Sequence, residues 1–194
     1  MKKNTYFERY ITKENNSQKI KFSHKKASSS LIKNIKKLNI LCDHGTIEYP
    51  IDAIKYLIKI SKKINKFDGS FLTFDYGYTK KNNVSTLQSV KKHRYINILE
   101  QPGNADITSH INFKLFADIF KKNGLNVEKV TTQNEFLKKM GIIERANILS
   151  KKMTFKEKTF MFLKLKKLLD QSEMGILFKV LFAQKKSSNF SLGF

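Results

Sequence analysis

The 194-residue sequence predicts an α/β fold with a buried sheet, and three observations carry that prediction. Helical stripes and short apolar runs alternate from Gly45 onward, the pattern of layered α/β architecture. The run Ser70-Phe-Leu-Thr-Phe74 is apolar without alternation, as expected of a strand covered on both faces. A hydrophobic content of 40%, with 16 Phe and 7 Tyr, is enough to build a sizeable core.

Each element follows from local pattern. Thr5 to Thr12 and Gln18 to Ser23 alternate around the polar break Lys13-Glu14-Asn15-Asn16-Ser17, which predicts a β-hairpin, and Lys25 to Ser30 reads as loop. Thr46 to Tyr49 is a short extended piece. Pro50 suits the first turn of a helix whose stripe is Ile51, Ile54, Leu57, Ile58 and Ile64, and Asp68-Gly69 ends it. Ser70 to Phe74 is then a strand that stops at Asp75-Tyr76-Gly77-Tyr78. A doubly covered strand needs neighbours on both sides, so part of its sheet is expected outside this chain.

Tyr78 to Ser109 shows no periodicity, and a loop of roughly 30 residues inside a compact domain points to function. Phe113, Phe116, Ala117 and Phe120 mark a helix closed by Asn123-Gly124, followed by a strand over Leu125 to Thr131. Thr132-x-x-Glu135 and Thr154-x-x-Glu157 have capping-box spacing and place helix starts near 133 and 155. The second helix runs to about Leu169, and its Phe-rich stripe is assigned to the core. Ile176 to Gln184 is the last strand, and residues 185–194 read as a loose tail.

The balance of 38 basic to 16 acidic residues gives a net charge of +22. Nearly all of the excess is lysine, with Arg9, Arg94 and Arg145 the only arginines, so it reads first as compositional bias and makes nucleic acid an unlikely partner. The single cysteine, Cys42, excludes a disulfide framework and a multi-cysteine metal site, which points to a reducing compartment. No apolar h-region follows Met1-Lys-Lys, and no stretch has the length of a membrane span, so a soluble protein with no membrane partner is expected.

Ligands of open α/β sheets sit beyond the carboxyl ends of strands, where Asp75 and Tyr76 lie. A carboxylate there can accept hydrogen bonds from an amine or orient a guanidinium, and Gly77 allows close backbone approach. The plain alternative is an Asx turn ending the strand. The long region concentrates His93, Arg94, Asp106, Thr108 and His110, a set able to place a histidine base beside an orienting carboxylate. A solvated basic patch over Lys91 to Arg94 and a helix cap at Thr108 or Asn112 are the alternatives. The spacings match no metal signature, so none is expected, and no glycine-rich phosphate loop or nucleophile elbow occurs among the eight glycines.

Glu48-Tyr-Pro50, Phe74-Asp75-Tyr76-Gly77-Tyr78, Thr86-Leu87-Gln88, His93-Arg94 and Pro102-Gly103-x-Ala105-Asp106-Ile107-Thr108-x-His110-Ile111-Asn112-Phe113 form an ordered series. Thr132-Gln133-x-x-Phe136-Leu137 and Glu173-Met174-Gly175-x-Leu177-Phe178-Lys179-Val180 continue it. The series resembles the MidA-like methyltransferases, which use S-adenosyl-L-methionine (SAM) and include a mitochondrial complex I assembly factor that methylates an arginine. The resemblance implies the C-terminal portion of a Rossmann-like methyltransferase sheet. Ser70 to Phe74 would be strand five, Leu125 to Thr131 strand six, and Ile176 to Gln184 an antiparallel strand seven. Residues 1–184 would be an incomplete domain, made of an inserted hairpin at 5–23 and an α/β part at 45–184, with 185–194 as its tail.

The glycine-rich loop that holds SAM in such enzymes precedes the matched region. The resemblance therefore implies SAM as the cofactor of the complete enzyme and a protein substrate methylated at arginine. It also implies a separately encoded N-terminal half as partner, or else a catalytically silent remnant that binds other proteins. Asp75, Tyr76, His93, Arg94, Asp106, Thr108 and His110 would form the substrate-side wall, and Glu48 is a weaker cofactor-side candidate. The compartment would be a bacterial cytoplasm or a mitochondrial matrix.

Overall fold

Alternating runs at the amino end pair as their pattern predicts. The computed structural model describes residues 5–14 and 19–194. In it β1 (Phe7–Lys13) lies antiparallel to β2 (Ile20–Lys26), with Phe7 opposite Lys26 and Lys13 opposite Ile20. The expected break at Asn15-Asn16-Ser17 and strand start at Gln18 lie outside the described residues. The loop expected over Lys25 to Ser30 gives way to β2 running on to Lys26 and to α1 (Ser29–Lys37). Ser28 caps α1 by accepting a hydrogen bond from Leu31 N at 3.1 Å.

α2 (Ile51–Phe67) starts directly after Pro50 and buries Ile54, Leu57, Ser61 and Ile64. It stops where Asp68 and Gly69 take φ of 70° and 117°. β3 (Ser70–Tyr78) continues through the residues expected to end it, and it is not covered on both faces, since Leu72 is 48% exposed. The region expected as one long loop instead holds three short strands, β4 (Gln88–Lys91), β5 (Arg94–Ile96) and β6 (Asp106–Thr108). They form an antiparallel sheet in the order β5-β4-β6. Strands of three or four residues are too short to display a two-residue period.

β7 (Ile111–Asn112) runs parallel to β3, with Gly77 opposite Ile111 and Tyr78 opposite Asn112. α3 (Phe113–Lys122) is capped by the Asn112 side chain, which accepts from Leu115 N at 3.0 Å, and it ends at Asn123. Phe113, Leu115, Ile119 and Phe120 are buried, so this helix supplies much of the core. The single strand expected over Leu125 to Thr131 is divided into β8 (Leu125–Val127) and β9 (Thr131–Thr132). α4 (Gln133–Lys139), α5 (Ile142–Ser150), α6 (Phe155–Leu169) and the single turn α7 (Met174–Leu177) lead to β10 (Phe178–Lys185).

Both predicted capping boxes form, at Thr132/Glu135 and Thr154/Glu157. The core assignment of the Phe-rich stripe does not hold, because no residue of α6 is buried. Its apolar residues lie around the whole helix rather than along one face, so only part of them can turn inward.

β10 is the central strand, antiparallel to β3, β8 and β9, in a sheet ordered β7-β3-β10-β8. Val180 to Gln184 are buried along it. The edge of β3 opposite β10 has a partner only at Gly77 and Tyr78, so Ser70 to Tyr76 present no second ladder among the described residues. Of residues 185–194, expected as a loose tail, Lys185 ends β10 and the rest is held by Gln184. Its Nε2 donates to Phe190 O at 2.7 Å and its Oε1 accepts from Phe190 N at 3.2 Å. Phe194 rings against Phe136 and Phe182 at 5.2 and 5.6 Å complete this contact.

The chain divides into two compact units, Met1–Tyr49 with Lys81–Ser109, and Pro50–Lys80 with His110–Phe194. Among the described residues no helix is long and apolar enough to cross a membrane.

Candidate functional site

In the second unit, two of the expected residues, Tyr76 and His110, meet at the carboxyl end of β3, while a third, Asp75, points to the other face of the strand. Asp75 and Tyr76 are adjacent there, and Tyr76 packs edge-to-face against His110, with centroids 5.4 Å apart. On its cross-strand side Tyr76 meets Phe178 at 5.6 Å. Asp75 Oδ1 accepts a hydrogen bond from Tyr76 N at 2.8 Å, which reaches only the next residue while β3 runs on to Tyr78, so the strand-ending Asx turn does not form. The second Asp75 oxygen leaves acceptor capacity on the strand face opposite the Tyr76 ring.

Asp75 lies opposite Lys179 in the ladder, and Lys179 lies opposite Thr132 on its other side. The Lys179 ammonium donates to Ile176 O. Burial lowers its pKa, an effect the charge of Glu135 opposes. Glu135 in turn accepts from Thr131 Oγ1 at 2.6 Å and from Thr132 N at 3.3 Å, and these bonds hold its carboxyl below the ordinary glutamate value. Lys179 and Glu135 were not among the expected site residues. The available signals were an isolated lysine in the apolar run Phe178 to Ala183 and the capping box itself.

Gly77 makes this end of the strand possible. A Cβ there would stand 2.2 Å from Ile111 O and 2.8 Å from the Phe113 ring, so only glycine admits β7 at this distance.

In the first unit, Glu48 anchors the segment entering β4. Its Oε1 accepts from Thr86 N and its Oε2 from Thr86 Oγ1, both at 2.7 Å. Thr46 N donates to Asn83 O at 2.8 Å and extends the same junction. Gln88 Nε2 donates to Thr108 Oγ1 at 3.1 Å across the β4–β6 ladder, so Thr108 is a ladder residue, and the helix cap suggested for it belongs to Asn112 alone. Asp106 is opposite Val90 and Arg94 is opposite Lys91. Val90 and Lys91 are consecutive and point to opposite faces, so Arg94 and Asp106 lie on opposite faces of this sheet. His93 sits with Lys92 in the tight β4–β5 turn, at φ of 62° and 47°, and is exposed. The structure thus brings together Tyr76 with His110 and Gln88 with Thr108, and it separates Arg94 from Asp106.

No group of three His, Cys, Asp or Glu side chains among the described residues is placed to hold a metal ion. The glycines do not form a cofactor cradle. Gly77 is occupied by β7, while Gly69, Gly124 and Gly141 are helix-end residues at φ of +117°, +83° and +78°. None opens a strand's carboxyl end onto a following helix N-terminus, so the residues present do not by themselves fit SAM.

Residues 1–131 match a family model described as "Putative S-adenosyl-L-methionine-dependent methyltransferase". The chain belongs to that family. Among curated proteins this methyltransferase-family chain is similar to the mitochondrial protein arginine methyltransferase NDUFAF7 of Xenopus tropicalis. It is 32% identical to it over 110 residues, covering 57% of this chain and 25% of the relative. The Caenorhabditis elegans homologue is 31% identical over 87 residues, 45% of this chain and 20% of that one. A solved Burkholderia thailandensis protein bound to S-adenosyl-homocysteine shares the fold, with a TM-score of 0.78 and 20% identity over 97% of this chain and 49% of that one. A second structure from that organism gives a TM-score of 0.75 at 21% identity, covering 96% of this chain and 50% of its own. The chain therefore spans about half the length of these solved structures and matches a quarter or less of the curated relatives.

Proposed function

We propose that this chain is the substrate-side, C-terminal part of a SAM-dependent protein methyltransferase whose acceptor is an arginine nitrogen, and that it works with a further polypeptide segment carrying the cofactor loop. The observation that carries this reading is the open edge of β3. Ser70 to Tyr76 pair with β10 on one side and with no strand on the other among the described residues. An unpaired row of backbone donors and acceptors beside exposed Leu72 and Phe74 is the edge on which another strand adds. The arginine acceptor and the protein substrate rest on the likeness to the NDUFAF7 enzymes.

Within this reading the paired Tyr76 and His110 rings face and bound the acceptor. Asp75, on the opposite face of β3 from those rings, lies beside Lys179 in the ladder. In the first unit, Asp106 and Thr108 share one face of the small sheet, His93 sits at its turn, and Glu48 holds that sheet's entry segment in place. The enzyme acts in a reducing compartment.

The test is calorimetric titration of SAM into the purified chain, alone and mixed with the N-terminal half of a full-length family member. Binding in the mixture alone is expected. Binding by the chain alone would show that a cofactor site is already complete in it, and absence of binding in both would favour a non-catalytic, partner-binding role.

A further inference from the structure

The ring contacts of residues 186–194 converge on the open edge of β3. Leu72 and Phe74, the exposed large apolar side chains of that edge, stand two residues apart and so share one face of the strand with Tyr76. Each of the two is backed by a buried phenylalanine. Phe182 lies opposite Leu72 in the ladder between β3 and β10, and the Phe136 ring of α4 stands edge-on to Phe74 with centroids 5.0 Å apart. Both backing rings are in turn held by the segment that follows β10. Phe194 meets Phe136 at 5.2 Å and Phe182 at 5.6 Å, and Phe190 meets Phe182 at 5.5 Å. The two hydrogen bonds from the Gln184 side chain to the Phe190 backbone seat this segment. At Gly193 the backbone itself lies against Phe136, since a Cβ there would stand 2.5 Å from the ring.

We infer that residues 186–194 are a strap that presets the open edge of β3 for the strand it receives. With the strap seated, Phe182 and Phe136 are wedged in place, and Leu72 and Phe74 stand ordered before a partner arrives. An edge ordered in advance loses less side-chain freedom on association, so more of the contact energy appears as affinity. With the strap released, the backing rings are free to turn, and the incoming strand has to order the edge itself. Because the single ring of Phe194 touches both supports, its loss loosens Leu72 and Phe74 together. Phe194 is thus a positioning residue that acts through Phe136 and Phe182 and touches neither exposed side chain in a ring contact of its own. The inference rests on the reading of this edge as the place where a further segment adds.

The test measures the affinity of the purified chain for the N-terminal half of a full-length family member, at a temperature well below the melting point of each variant. Phe194 is only partly buried, so Phe194→Ala is expected to fold. It should bind about tenfold more weakly than the parent, while Phe194→Tyr, which keeps the ring, binds like the parent. Methyl NMR of the chain alone should find Leu72 ordered in the parent and in Phe194→Tyr and mobile in Phe194→Ala, with the buried methyls of Leu57 and Leu115 unchanged. A purely stabilising tail would move the melting point without this local change. Parental affinity in Phe194→Ala would overturn the strap and leave strand addition standing. Absence of binding by the parent would overturn the reading of the edge, and the strap with it.

Discussion

The His110 ring stands edge-on to the Tyr76 ring, with centroids 5.4 Å apart and an interplanar angle of 70°. This contact fastens the residue before β7 to the end of β3, and Phe178 supports the opposite side of the same tyrosine at 5.6 Å. Aromatic pairs of this kind contribute about 0.5–1.5 kcal/mol each beyond their burial. Tyr76→Leu is expected to lose both and to lower the melting temperature by several degrees, whereas Tyr76→Phe should melt within a degree or two of the parent. Under the proposed function, methyl transfer in the presence of the N-terminal half separates the roles. Activity retained in Tyr76→Phe assigns the ring, and activity lost at unchanged stability assigns the hydroxyl.

Gly77 and Gly103 should respond differently to the same methyl group. At Gly77 the added carbon meets a backbone carbonyl and a buried ring at 2.2 and 2.8 Å, neither of which is free to swing away. Gly77→Ala is expected to cost more than about 3 kcal/mol and to reduce soluble yield. Gly103 has open space around it but a φ of +85°, so Gly103→Ala should cost only about 1–2 kcal/mol, from backbone strain alone. Urea midpoints of the two variants test this, and equal shifts would contradict it.

Acid should loosen two helix starts. Glu135 is held below the ordinary glutamate value chiefly by the Thr131 hydroxyl and then by Thr132 N, and Glu157 by Thr154 N and then the Thr154 hydroxyl. A carboxyl lowered on folding contributes stability that is present above its unfolded pKa and is lost as the pH falls through the lower folded one. The first turns of α4 and α6 are therefore expected to fray as the pH drops below the ordinary glutamate range. Amide exchange at Thr132 and Thr154 reports it. Glu135→Gln and Glu157→Gln should flatten the pH dependence at their own caps, and an unchanged acid transition in the double variant would refute the assignment.

Glu48→Ala removes two acceptors at once from Thr86. Hydrogen bonds to charged groups contribute about 1.5–3 kcal/mol, less where water competes. Exchange of the Thr86 amide is expected to speed up at least tenfold while the buried α3 amides keep their protection. Equal protection in the variant would mean that Glu48 does not hold this junction.

Gln184 is buried and holds the backbone of Phe190 at both its N–H and its C=O. Gln184→Leu should preserve volume but leave those two groups unpaired, at a cost of about 1–3 kcal/mol, and release residues 186–194. Limited proteolysis followed by mass spectrometry detects the release. A tail as resistant as in the parent would show that Phe194 against Phe136 and Phe182 suffices to hold it.

Signals confined to one turn or one strand were legible before the fold was known. The Thr132 and Thr154 capping boxes, the stop at Asn123-Gly124 and the α2 stripe each follow from side-chain chemistry within a few residues, whereas the antiparallel direction of the final strand came only with the family resemblance. The family was legible as well, because its motifs recur in order. α5 and the β4–β6 sheet were not. α5 has a weak stripe, and the three short strands acquire their pairing only from one another.

By itself the sequence determined the α/β class, the ends of α2 and α3, the starts of α4 and α6, and the family, since caps, periods and ordered motifs are properties of the chain read in one direction. The tertiary structure alone decided which candidates meet. Tyr76 reaches His110 because β7 returns beside Gly77, Arg94 and Asp106 part because consecutive residues of β4 face opposite ways, and the Phe-rich α6 stays exposed because its apolar groups encircle it. Register and packing place side chains across tens of residues, and no local pattern encodes them.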